Sequence, residues 1–261
     1  MSSVTGVDFT QRFTAGAVDG AVQVYAGRYH DDFNLDGDTY DMELRKAGGI
    51  VLSGNVGDFG ARLSYHQAGF YINGLNPLST QPRKLDALAG LAMMVGADVV
   101  PEGQTSRFYQ AALSWDNGST SLTGEYTALR HDSDLLVDDD AWFVSAAQRM
   151  GAFTPHLTFA QATDNLKSGS TGIAQRFTED KQNSLTLGVR YDFALNTALK
   201  LEATYVERES ADSRAAEATS IIKTAQANST PPNTNDLIAA SKKKLDKTDG
   251  MLYTLGLSVM F

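Results

Sequence analysis

The feature that most limits what this chain can become is a period of two. In "SLTLGVRYDF", Leu185, Leu187, Val189, Tyr191 and Phe193 share one parity, and Thr186, Gly188, Arg190 and Asp192 share the other. A helix would need apolar residues at i, i+3, i+4 and i+7, so this segment reads as a strand with one apolar and one wet face. The next run repeats the pattern, with Leu199, Leu201, Ala203 and Tyr205 against Lys200, Glu202 and Thr204. The intervening "ALNTA" is short enough for a hairpin. The same reading predicts eleven strands near 6–14, 21–30, 39–54, 59–71, 107–115, 120–130, 141–150, 154–163, 184–194, 198–208 and 250–261.

The predicted connections alternate in length. Short ones ("AGAVDG", "NVGD", "DNGS", the Gly151 region, "ALNTA") separate long polar ones: the Asp32 stretch, 72–106, 131–140, 164–183 and 209–249. A soluble sandwich has no reason to keep its long loops at one end, whereas a membrane-spanning barrel does. In hydrocarbon every backbone amide must be paired, so strands cross a bilayer only in a closed barrel whose apolar residues face lipid. The expectation is therefore an all-β fold, a transmembrane antiparallel up-and-down β-barrel of about 11–12 strands. It forms one domain over 1–261, with long extracellular loops at 72–106 and 209–249. Tyr65, Phe70, Tyr71, Trp115, Trp142, Tyr191, Phe193 and Tyr253 fall near strand ends, where aromatic residues gather in such barrels.

Composition removes several alternatives. The chain has no Cys, so it holds no disulfide framework and no Cys-based zinc or redox site. Its formal charge of −9 argues against nucleic acid, which needs clustered Lys and Arg. The apolar run "LDALAGLAMMVGADVV" (85–100) carries two Asp and is too short for a spanning helix. The start, "MSSVTGVDFTQRF", has neither a basic nor an apolar leader segment, which leaves a cytosolic, processed or incomplete chain open.

The last strand, "GMLYTLGLSVMF", sets Met251, Tyr253, Leu255, Leu257, Val259 and Phe261 on one side. A terminal aromatic closing such a strand resembles the ending of bacterial outer-membrane barrels. With "FYQAALSWDNGSTSLTGEYTALR", "DDDAWFVSAAQRMGAFTPHLTFAQ" and "LGVRYDFALNTALKLEATYV", the chain from residue 107 onward resembles the strand-turn-strand units of Gram-negative porins. That resemblance implies a sixteen-stranded, trimeric, water-filled barrel in the bacterial outer membrane that passes ions and small hydrophilic solutes passively. It further implies lipid and lipopolysaccharide around the wall, no cofactor and no enzymatic activity. Because bacterial single-chain barrels have an even strand count, eleven predicts the C-terminal part of a larger porin, with about five strands ahead of it. A miscount by one would allow a complete barrel of about twelve or ten strands.

The polar parity supplies the candidate pore lining: Arg12, Arg45, Arg62, His66, Glu125, Arg190, Asp192, Lys200 and Glu202, with Asp8, Thr10, Asp41, Glu43, Ser64 and Arg208 beside them. Rings of such charges set ion preference. In porins a loop can fold inward and narrow the channel. The segment from Asn73 to Gln104 is the candidate, and would bring Arg83, Lys84, Asp86 and Asp98 toward the solute path. The 209–249 stretch reads as a long external loop with one or two helical turns. An alternative function is a barrel that serves as receptor, adhesin or anchor through its long loops.

Two motifs compete with this reading. "DFNLDGDTYDME" has Asp32, Asn34, Asp36, Gly37 and Glu43 at calcium-loop spacing. The EF-hand needs flanking helices, yet both flanks read as strands, so an acidic external hairpin tip is favoured and no metal is assigned. A tip that still captures calcium without helices is the other option. Ser64 and His66 share a strand face, but alternate strand residues usually stand apart without the contact a nucleophile and base require.

Overall fold

The structure, a computed structural model, describes residues 3–35, 37–74, 86, 89, 90, 93, 104–132, 136–168, 173, 175–194, 196–228 and 230–259. Eleven strands form one sheet in simple sequence order: β1 (Ser3–Ala15), β2 (Val18–Leu35), β3 (Asp38–Val56), β4 (Phe59–Asn73), β5 (Gln104–Asp116), β6 (Thr120–His131), β7 (Asp138–Gln148), β8 (Phe153–Asn165), β9 (Asp180–Ala194), β10 (Thr197–Ser210) and β11 (Asp246–Val259). Every neighbouring pair is antiparallel. Among the described residues β1 pairs with β2 alone and β11 with β10 alone.

One end of the sheet carries the tight turns, and each holds a residue in the left-handed region: Gly16, Gly57, Gly118, Gly151 and Asn196. The β4–β5, β6–β7, β8–β9 and β10–β11 connections at the other end are longer. All eleven strands extend beyond their predicted spans toward that end. Past the apolar band the ladder continues through polar pairs such as Glu207↔Asp249 and Asp139↔Asp164. Hydrophobic alternation cannot signal those pairs. The Asp32 stretch shows the largest extension. Expected as a long loop, it is the paired tip of the β2–β3 hairpin, with Asp32 opposite Asp41 and Asn34 opposite Thr39.

Cross-strand register divides the sheet into two chemical faces. One row runs Val56, Phe59, Trp115, Leu122, Ala146, Leu157, Leu187, Ala203, Tyr253 over β3–β11 without a polar member. An adjacent row on the opposite face runs Ser114, Thr123, Ser145, Thr158, Thr186, Thr204. Hydroxyls there share hydrogen bonds, Ser145 with Thr158 at 2.7 Å and Thr186 with Thr204 at 2.8 Å. The large apolar side chains are the exposed ones, Leu113 at 70% and Leu187 at 64%, as suits the outer face of a curling wall. A water-soluble sheet would bury them.

Aromatic residues edge the apolar band on both sides. Phe59, Trp115, Phe153 and Tyr191 lie toward the tight turns, and Tyr65, Tyr109, Tyr126, Trp142, Phe159, Tyr205 and Tyr253 toward the long connections. Tyr65 and Tyr109 rings sit 5.2 Å apart, Trp142 and Phe159 5.4 Å, and Phe153 and Tyr191 stack at 4.5 Å. The two edges are six residues apart on β4, β5 and β8, or roughly 20 Å along a strand. The upper edge also drifts by register. Tyr65 pairs with Tyr109, Tyr126 with Trp142 one row lower, and Phe159 shares the next row with Leu185 and Tyr205. A level line crossing tilted strands must drift in this way.

The 209–249 connection holds more helix than expected, with α1 (Asp212–Ala227) and α2 (Thr234–Ser241). The Ala-rich run of α1 has high helix propensity, and Asn233 caps α2 by accepting from the Asn235 amide at 3.0 Å. Phe177 from the β8–β9 connection packs with Ala218, Leu237 and Ala240, flanked by Ile221 and Ile222. Arg214 donates to Glu179 (2.8 Å) and to the carbonyls of Arg176 and Lys243. Buried Gln175 ties the Leu136 carbonyl to the Lys167 amide. Three connections are thereby joined into one folded cap.

Candidate pore wall

Each strand contributes one parity to the polar face, and register identifies which residues share it. Arg12, Arg62 and Glu125 lie in a single cross-strand row through Ala21, Ser53 and Ala112. His66 lies four residues beyond Arg62. Lys200 is opposite Arg190, Glu202 opposite Gly188, and Asp192 follows on the same parity. Eight of the nine expected wall residues therefore share one face.

Around β2, β4 and β5 the polar groups form a chain. Tyr25 Oη lies 2.6 Å from His66 Nδ1, His66 Nε2 2.8 Å from Ser64 Oγ, and Ser64 Oγ donates to Gln110 Oε1 at 3.1 Å. Arg62 Nε donates to the same Gln110 oxygen at 3.2 Å. The expected separation of Ser64 from His66 is thus overturned. Pleated neighbours on one face can meet when a long side chain leans along the strand. The chain is satisfied by a neutral imidazole protonated at Nε2, with Tyr25 donating to Nδ1 and Nε2 donating to Ser64. In that state no lone pair of His66 is aimed at the Ser64 proton, which is already given to Gln110. The arrangement orders the wall and lacks the geometry of an activated nucleophile.

On β8–β10 the wall is ionic. Arg190 pairs with Asp192 at 2.7 Å and Lys200 with Glu202 at 2.8 Å. Glu202 also meets His156 Nε2 at 2.9 Å across the whole width of β9. Gly188 lies between them, and a Cβ there would come within 2.4 Å of the His156 ring. His156, Gln110 and Tyr25 were absent from the expected set. The parity of "TPHLTFAQ" carries the signal for His156, which alternates with Pro155 and Leu157.

Arg45 does not share this face. A β-bulge between Arg45 and Gly48, with Lys46 at φ 51°, inserts one extra residue into β3 and inverts the parity beyond it. Leu44 consequently lines up with Phe70, while Glu43 and Arg45 line up with Tyr71 and Gly69 on the apolar parity. Arg45 pairs with Glu43 and its guanidinium stands 4.2 Å over the Tyr71 ring. His30, Asp32 and Asp41 follow on the same side, with one ligand atom from each lying within 4.8 Å of the others. The calcium-loop residues are spread along a two-stranded ribbon, and Asp36 lies outside the described residues. Of the expected constriction-loop residues, Asp86 is buried, and Arg83, Lys84 and Asp98 lie outside the described residues. Terminal Phe261 lies outside them as well.

A sheet with an exposed apolar band between aromatic edges, backed by a continuous wet face, is built for lipid on one side and water on the other. No helix among the described residues is long and apolar enough to cross a membrane, a statement that does not bear on strands. Residues 6–222 match the sequence model of the Gram-negative porin family. The chain belongs to that family. It is a porin of the bacterial outer membrane, an all-β, up-and-down antiparallel wall of the porin barrel type, and its family is one of channels rather than catalysts. No curated protein matches the chain.

Proposed function

We propose that this porin conducts ions and small hydrophilic solutes by passive diffusion along its polar face, which lines a water column. The observation that carries the reading is the unbroken polar row from Ser114 to Thr204 across β5–β10, directly behind an apolar row that spans the same six strands. Arg12, Arg62, His66, Glu125, Arg190, Asp192, Lys200 and Glu202 set the field that a permeant ion meets. The functional unit is a homotrimer set in lipopolysaccharide. The test is single-channel recording in planar bilayers. Steady current steps that scale with salt are expected, and the absence of current from correctly folded protein would reject the channel.

The folded cap favours a second reading, a barrel that presents its external loops to a partner. On that reading deletion of 213–243 would abolish partner capture and leave conductance intact. On the channel reading the same deletion changes the conductance step.

A further inference from the structure

We propose that a hollow on the polar face of β6–β9 is a binding site for small methylated ammonium ions. The inference deepens the channel reading and rests on it, since it takes the polar face to be the one that meets water. The hollow encloses about 180 Å³. Ala141, Ala160 and Ala162 give it a floor of methyl groups, with Glu125 and Phe143 at one edge and Gln182 and Ser184 at the other.

A wall that need only be wet has no use for such a place. The adjacent row toward the tight turns keeps hydroxyls at the same strands, Thr123, Ser145 and Thr158. Here three alanines replace them, and Phe143 puts a ring on the polar parity. Phe143 is the cross-strand neighbour of Glu125, which sets their Cβ atoms about 5 Å apart. The ring stays partly exposed.

Glu125 differs from the other acids of the wall. Asp192 is held by Arg190 and Glu202 by Lys200, whereas among the described residues Glu125 makes no ion pair and no side-chain hydrogen bond. The flanking cations are engaged elsewhere. Arg208, opposite Gln182, donates to Asp180 at 2.7 Å, and Arg62, across Ala112 from Glu125, donates to Gln110 at 3.2 Å.

An unpartnered acid beside a ring and a methyl floor is matched by a cation with an apolar body. Its charge is attracted to both the carboxylate and the ring face, and its methyl groups cover the alanines. Gln182 and Ser184 offer a carbonyl and a hydroxyl to a polar tail on the same ion. One carboxylate is too few oxygens for calcium, and a hydrated potassium ion gains nothing from methyl groups. Toward the long connections Asp139 faces Asp164, so a cation arriving from that side meets acids first. Each contact is worth only a few-fold in affinity at a wetted site, and a channel requires this, because an ion held tightly would not leave.

The test uses the refolded porin in detergent, with tetramethylammonium chloride as the probe and its methyl signal followed by saturation-transfer nuclear magnetic resonance. Phe143→Leu, which keeps the bulk and removes the ring, should weaken binding about threefold, and Phe143→Tyr should recover the parent affinity. Glu125→Gln should weaken it about fivefold. Potassium at equal concentration should leave the probe bound. The proposal is overturned if either Phe143→Leu or Glu125→Gln binds as the parent does, or if potassium displaces the probe. Planar-bilayer recording on the same samples separates this site from the channel. Ring-dependent binding by a protein that passes no current keeps the hollow and rejects the channel, and current without binding does the reverse.

Discussion

A single missing methyl group at position 188 decides whether His156 can reach Glu202. Any side chain at Gly188 would enter the His156 ring and press on Glu202 Cγ at 2.8 Å. Gly188→Val is expected to destabilise the refolded protein by about 2 kcal/mol through overpacking, measured as a shift of the urea midpoint in lipid. Gly250, with open space where its Cβ would stand, is the control, and Gly250→Val should leave the midpoint unchanged. At this scale the sequence was informative wherever parity was uninterrupted. Arg62, Glu125 and Lys200 follow from alternation with large apolar neighbours. The Tyr25–His66–Ser64–Gln110 chain was not legible, because its members lie on three strands whose mutual register the one-dimensional pattern does not contain.

Elements show where alternation misleads. Across "MELRKAGGIVL" the parity appears continuous, yet the bulge at Lys46 changes the face of everything before it. A fluorophore on Arg45→Cys is expected to be quenched by lipid-tethered quenchers, and one on Leu44→Cys to be protected from them; the reverse result would remove the bulge. The cap is a second such element, since its core draws Phe177 and Leu237 from connections far apart in sequence. Within it the Glu179 carboxyl sits below the usual glutamate range. Burial alone would raise it, and the bonds from Arg214 and Lys181 more than offset that. The sign follows. A depressed carboxyl stabilises the folded cap fully at neutral pH, and that contribution is lost as pH falls through the lowered value. Hydrogen exchange in α1 and α2 should therefore accelerate only in acid. Arg214→Ala, which strands Glu179 without its buried partner, should weaken cap protection by about 3 kcal/mol at neutral pH.

The whole molecule is governed by two media meeting on one sheet. Strand number, topology and the end that bears the long connections were all readable, because lipid and water impose opposite chemistry on alternate residues. The net charge was less informative, since acids are divided between wall, outer rim and loops. Ion preference is tested by reversal potentials in a potassium chloride gradient. Glu125→Gln should shift the potential toward anions and Arg62→Gln toward cations, and shifts of the opposite sign would remove these side chains from the conduction path.

The drift of the aromatic edges bears on that path. Arg62 lies three residues from both Phe59 and Tyr65, and His156 three from both Phe153 and Phe159. Although four strands and four residues of register apart, they stand at one depth, midway between the two aromatic edges. For a channel built on this wall, a zwitterion at its midpoint would find a guanidinium on one flank and the His156–Glu202 pair farther round. It would be obliged to rotate so that its two poles match them before moving on.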